Sequence, residues 1–169
     1  IIVSIDDDIS HHPSLFPKLV QVCKDKDVVV TGIGKNLRYW NSKYGKITRT
    51  APFDTKPKKP YVDLIEGFSG VAYKKKFFPN VKLLKDLTKT SKPCMLSDDL
   101  TISFYLKLFS RRIYSLEQAG FYGYHKLSAY NWGLGENALH KGATYKSYNN
   151  VDVNYIKFPQ CFKNLTTYV

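Results

Sequence analysis

The chain has 169 residues, 43% of them hydrophobic and 15% aromatic, which suffices for one domain with a packed core and excludes a disordered chain. Its 26 Lys and Arg against 14 Asp and Glu leave a net charge of +12, a balance that attracts phosphates, nucleic acid or anionic lipid surfaces. No apolar run approaches the roughly 18 residues needed to span a bilayer.

The first ten residues organise the rest. Ile1, Ile2, Val3, Ser4 and Ile5 make an apolar run of strand length that opens in mid-strand, so the expectation is an excised part of a longer protein. Such a run predicts a buried parallel strand whose C-terminal end emerges at a site, because ligands of open α/β sheets bind there. The run ends in Asp6, Asp7 and Asp8. Adjacent carboxylates repel one another unless a cation sits among them, and oxygen-only ligands select a hard divalent ion, Mg²⁺ or Mn²⁺. Side chains of an extended segment alternate, so Asp6 and Asp8 share one side and Asp7 faces the other. Asp6-x-Asp8 is thus a candidate metal and diphosphate site, with an acidic turn as the plain alternative.

Residues 13–24 predict a helix with Phe16, Leu19, Val20 and Cys23 on its apolar face, and residues 27–32 a second strand. Residues 34–60 lack sustained periodicity, apart from alternating segments that predict a small hairpin around 43–45. From Val62 to Tyr73, Gly67 and Gly70 lie three apart between apolar runs, which predicts a backbone that turns and approaches something closely, with Glu66 and Ser69 on the bend. A plain glycine turn is the alternative. Phe77, Phe78, Val81 and Leu84 suggest a short helix near Pro79, followed by a basic loop to Pro93. Ser97, Asp98 and Asp99 then open the clearest helix. Ser97 or Asp98 suits its N-cap, Asp99 its first turn, and Ile102, Tyr105, Leu106 and Phe109 its apolar face. Capping uses one acid and leaves one for chemistry.

Residues 111–116 predict a strand, and the glycines and aromatics from Gly120 to Gly135 a lid-like loop that contains His125 and Trp132. A surface histidine is the ordinary reading of His125, and a further ligand for the acid cluster the functional one. The tail from Lys141 gives no regular pattern. Lys56, Lys58, Lys59, Lys74, Lys75, Lys76, Lys82, Lys85, Lys89 and Lys92 concentrate the positive charge in the middle, as a solvated face or as a docking surface for a membrane or polyanion. Cys23, Cys94 and Cys161 are odd in number and lack CxxC spacing, which argues against a disulfide framework or a zinc site and for a reducing compartment. Asn164-Leu165-Thr166 matches a glycosylation acceptor, which matters only in a secreted chain.

Together, three stretches resemble the GT-A glycosyltransferases, in the branch related to the family-2 inverting enzymes. Residues 2–9 resemble the strand and DxD motif of that fold, residues 66–73 its acceptor-side glycine segment, and residues 96–103 its acidic helix start. The resemblance covers residues 1–116 and implies an α/β fold, a mixed sheet flanked by helices, in a single domain or domain fragment over 1–169 that is truncated at its N-terminus. It implies that Asp6 and Asp8 contact the ribose and the Mn²⁺ or Mg²⁺ that bridges the donor diphosphate, with His125 as a C-terminal metal ligand. Asp99 would be the general base, with Asp98 its competitor for that role, because Asp98 replaces the commoner Glu. Asp7, Glu66, Gly67, Ser69, Gly70 and Trp132 would line the substrate site. Trp40, Tyr73 and Trp132 are sugar-stacking candidates, and core packing is the alternative for each.

The implied function is metal-dependent, inverting transfer of a sugar from a UDP- or GDP-linked donor to a glycan, lipid or protein hydroxyl. No nucleic acid is expected; peripheral membrane contact through the Lys-rich surface stays open beside a plain solvated face, and the expected location is cytoplasmic, with the cytoplasmic face of a membrane as the alternative. Two other classes stay open. A metal-dependent nucleotidyl- or phosphotransferase also gathers carboxylates at strand ends, but the chain has no Walker-type loop. A non-catalytic basic module for nucleic acid or anionic membrane explains the charge and leaves the acids unexplained.

Overall fold

The computed structural model describes residues 1–6, 11–38, 58–121 and 154–168. Five strands form one mixed open sheet: β1 (Ile2–Ser4), β2 (Val29–Lys35), β3 (Tyr61–Val62), β4 (Leu64–Tyr73) and β5 (Ile113–Ser115), in the order β1-β4-β2-β5-β3. Only β2 and β5 run parallel; the other pairings are antiparallel. Helices α1 (Leu15–Lys26), α2 (Val81–Thr88), α3 (Lys92–Met95), α4 (Asp98–Leu108) and α5 (Asn154–Tyr168) complete the described elements, with a 3₁₀ turn at Lys75–Phe77. The α/β class and mixed sheet expected from the sequence are therefore present.

β2 is central, and every residue of it before Lys35 is buried, which its run of β-branched residues and glycines permits. α1 starts two residues later than its periodicity suggested, and Pro17 falls in its first turn, where the missing N–H is tolerated. Its buried stripe is Leu15, Leu19, Val22 and Cys23, packed on β2 and β4. α4 buries Leu100, Phe104, Tyr105 and Leu106, while Ile102 and Phe109 are only partly buried. The predicted single apolar face is too narrow because β4, α2, α3 and α5 all pack around this helix.

Three expectations are corrected. β1 is not a buried parallel strand: it lies at the sheet edge, pairs antiparallel with β4 alone, and leaves Ile1, Ile2 and Ile5 about half exposed. The tail is not irregular throughout, since α5 buries Phe158, Cys161, Phe162 and Leu165 at helical spacing against α3 and α4. Cys94 of α3 and Cys161 of α5 form a disulfide, so only Cys23 is free, and the case for a reducing compartment loses its basis. That bond closes a loop of 67 residues, and its loss should lower stability by about 2–4 kcal/mol. Melting with and without a thiol reductant measures this; identical transitions would contradict a structural role. The predicted hairpin around 43–45, the lid from Tyr122 onward and residues 141–153 fall outside the described residues. No helix among the described residues is long and apolar enough to cross a membrane.

Candidate functional site

The site begins with a fault in the sheet. β2 and β4 keep register through Thr31 opposite Val71, and resume it with Ile33 opposite Glu66. Residues 67–70 therefore bulge from β4 opposite the single residue Gly32, and a bulge of this kind re-aims backbone groups that would otherwise serve the ladder. Ser69, buried, fills the hydrogen-bonding gap. Its Oγ accepts from the Ile33 N–H at 2.7 Å and donates to the Glu66 carbonyl at 2.6 Å. Gly70 closes the bulge at a positive φ of 82°, where a side chain would be strained, and it rests on Leu15 and Leu19 of α1.

The freed Gly67 N–H points at α4. It donates to both carboxylate oxygens of Asp99, at 3.0 and 2.9 Å. One turn further along the helix and two residues back along the strand, the Ile65 N–H donates to Ser103 Oγ at 3.0 Å. The i, i+4 spacing on the helix matches the i, i+2 spacing on the strand, so the two bonds fix the register of α4 against β4. A Cβ at Gly67 would stand 2.5 Å from Asp99 Oδ1, which makes glycine the residue compatible with this approach.

Capping does not account for these acids. Ser97 holds the N-cap position but its side chain makes no capping bond, and Asp99 spends its carboxylate on β4 rather than on its own helix. Burial raises the Asp99 carboxyl from 3.8 to about 8, reinforced by the charge of Asp98 and, more weakly, by Glu66 and Asp6; the Gly67 N–H opposes the rise. Four carboxylates from three separate stretches of sequence thus share one electrostatic neighbourhood. Asp98 and Asp6 are exposed, and Glu66 and Asp99 are partly buried. Perturbation of this kind, by burial and a like-charged neighbour, is common where an acid or base works.

Asp6, Glu66, Gly67, Asp98 and Asp99 are therefore brought together, with Ser69 and Gly70 shaping the backbone beneath them. Asp7, Asp8, His125, Trp40 and Trp132 lie outside the described residues. Tyr73 is no exposed sugar platform: it is 6% exposed and packs edge-on against Phe78 at 5.3 Å. Its phenol is pushed above its usual range by burial and by Asp99 and Asp98, so it forms part of the wall behind the acids. Sequence reading missed Ser103, although its i+4 offset from Asp99 could have flagged it.

The donor set is all carboxylate oxygen and mutually repelling, which suits Mg²⁺ or Mn²⁺ in chemistry. Among the described residues, no group of three or more His, Cys, Asp or Glu side chains is arranged to hold a metal ion. Of the three expected ligands, only Asp6 is described. Comparison with known proteins finds no family model, no curated protein and no solved structure that matches this chain.

Proposed function

We propose that the chain is the metal- and acceptor-binding part of a GT-A-like, inverting glycosyltransferase that moves a sugar from a UDP- or GDP-linked donor to an acceptor hydroxyl. The observation that carries this reading is Asp99: a carboxylate of raised pKa, oriented by the Gly67 N–H, within electrostatic reach of Asp6 at the end of β1. A sugar hydroxyl is a poor nucleophile near neutral pH, and a fixed carboxylate that accepts its proton remedies this. Bound Mn²⁺ or Mg²⁺, held through Asp6 and Asp8, would supply charge neutralisation for the departing nucleoside diphosphate. Burial, reinforced by Asp98 and more weakly by Glu66 and Asp6, keeps the Asp99 proton affinity high enough for it to act as a base, while Gly67 fixes the direction in which it acts. One base and no covalent nucleophile make the reaction a single displacement with inversion. The α/β class and the mixed sheet flanked by helices are compatible with this reading.

Melting the protein with Mn²⁺ and UDP or GDP tests the reading. Binding at a hundred times Kd should stabilise the fold by about 2.7 kcal/mol, and only when metal and nucleotide are present together. No shift with either nucleotide would contradict it. Asp8→Asn, and less severely Asp6→Asn, should abolish that shift while leaving the metal-free melting temperature level or higher, because each removes a charge from a repelling cluster. A large destabilisation of the metal-free protein would instead make these acids structural.

A further inference from the structure

The outward surface of α2, α3 and α5 is predominantly positive. α3 packs against both α2 and α5, and the ends of α2 and α5 face each other across an open cleft lined by Asp86, Lys89, Thr90, Asn164, Thr167 and Tyr168. The three helices thus form one continuous wall. Leu87 of α2 is buried and Leu83 and Leu84 are partly so, which by helical periodicity turns Val81, Lys82, Lys85 and Lys89 outward. Lys92 and Lys163 are also exposed. Against these five lysines the three helices contain a single acid, Asp86, which Lys82 approaches at 3.4 Å.

Apolar groups stand among the lysines. Besides the three isoleucines around β1, the exposed large hydrophobic residues of the described chain are Val81 at 51%, Met95 at 64% and Tyr168 at 50%, and all three are on this wall. Ammonium groups that reach lipid phosphates, around apolar and phenolic side chains that enter the headgroup boundary, match a bilayer surface in chemistry and in charge. A nucleic-acid face fits less well: the three helices contain no Arg, and among the described side chains Tyr168 is the exposed ring on which a base could stack.

We propose that the α2–α3–α5 wall docks this protein peripherally on an anionic lipid bilayer. The interaction is independent of the chemistry at Asp99 and needs no sugar donor.

Co-sedimentation of the full chain with phosphatidylcholine vesicles, plain or containing about one third phosphatidylserine, tests it. Binding is expected only to the anionic vesicles and should fall as salt is raised. Lys82→Glu, Lys85→Glu and Lys89→Glu together should weaken it at least about a hundredfold, from roughly fivefold per lysine near the surface. Lys24→Glu, Lys58→Glu and Lys59→Glu change the net charge equally and should retain most of the binding. Val81→Ser with Met95→Ser should weaken binding while preserving its salt dependence. Circular dichroism checks that each variant folds. Equal binding to neutral vesicles, binding to neither, or equal loss in the two triple variants would overturn the proposal. Tight binding of single-stranded RNA without vesicle binding would overturn it too, and would give the wall to nucleic acid.

Discussion

Asp99→Asn should lower turnover by roughly 10²–10⁴-fold, the range for losing a positioned proton acceptor, while the affinities for metal and donor nucleotide stay nearly unchanged. Asn keeps an acceptor for the Gly67 N–H and is itself tolerated at a helix start, so a role confined to helix structure would leave the rate intact. The parent rate should rise with pH through about 8, as Asp99 loses its proton, and this limb should vanish in the variant. Stability moves the other way. Because the folded carboxyl has its pKa raised from 3.8 to about 8, the fold holds that proton more tightly than the unfolded chain does. Stability from this group is present below the ordinary carboxylate range and is lost as pH climbs toward 8. Asp99→Asn cannot ionise, so its melting temperature should exceed the parent's increasingly from pH 4 to pH 8 and match it at lower pH. Asp98→Asn is the internal control, since the neighbouring acid points about 100° round the helix axis. Collapse there with survival at Asp99→Asn would move the base to Asp98.

Gly67→Ala should cost on the order of 10²-fold in turnover, the penalty for displacing a reacting group by about an ångström. The added methyl would meet Asp99 Oδ1 at 2.5 Å, and α4 cannot retreat freely because Ser103 ties it to Ile65 of the same strand. The carboxylate must therefore rotate away from its donor. If the loss comes through Asp99, combining Gly67→Ala with Asp99→Asn should lower turnover little beyond Asp99→Asn alone. Fully additive losses would mean that the glycine acts elsewhere, for instance on the fold of the bulge.

The local signals were legible and the non-local ones were not. Ser97, Asp98 and Asp99 announced the start of α4 because capping preference and apolar periodicity coincide there. The pair Gly67 and Gly70 announced a close approach, but the sequence could not say to what, since the partner lies 32 residues away in Asp99. The bulge itself depends on the register between β2 and β4, which neither strand encodes alone. The edge position of β1 was hidden for the same reason: an apolar run says how a strand is composed, not who its neighbours are. α5 was missed despite Phe158, Cys161, Phe162 and Leu165 at helical spacing, because Pro159 lies inside the helix and reads as a breaker. The disulfide was missed because pairing cannot be deduced from cysteine spacing, and Cys94 and Cys161 are distant in sequence.

The most direct measurement is the anomeric configuration of the product, followed by NMR as the protein with Mn²⁺ is offered UDP- and GDP-linked sugars and acceptor sugars. A single displacement assisted by Asp99 yields a glycoside inverted relative to the donor, formed by the parent and suppressed in Asp99→Asn. A retained configuration, or transfer that proceeds equally well without Asp99, would contradict the account.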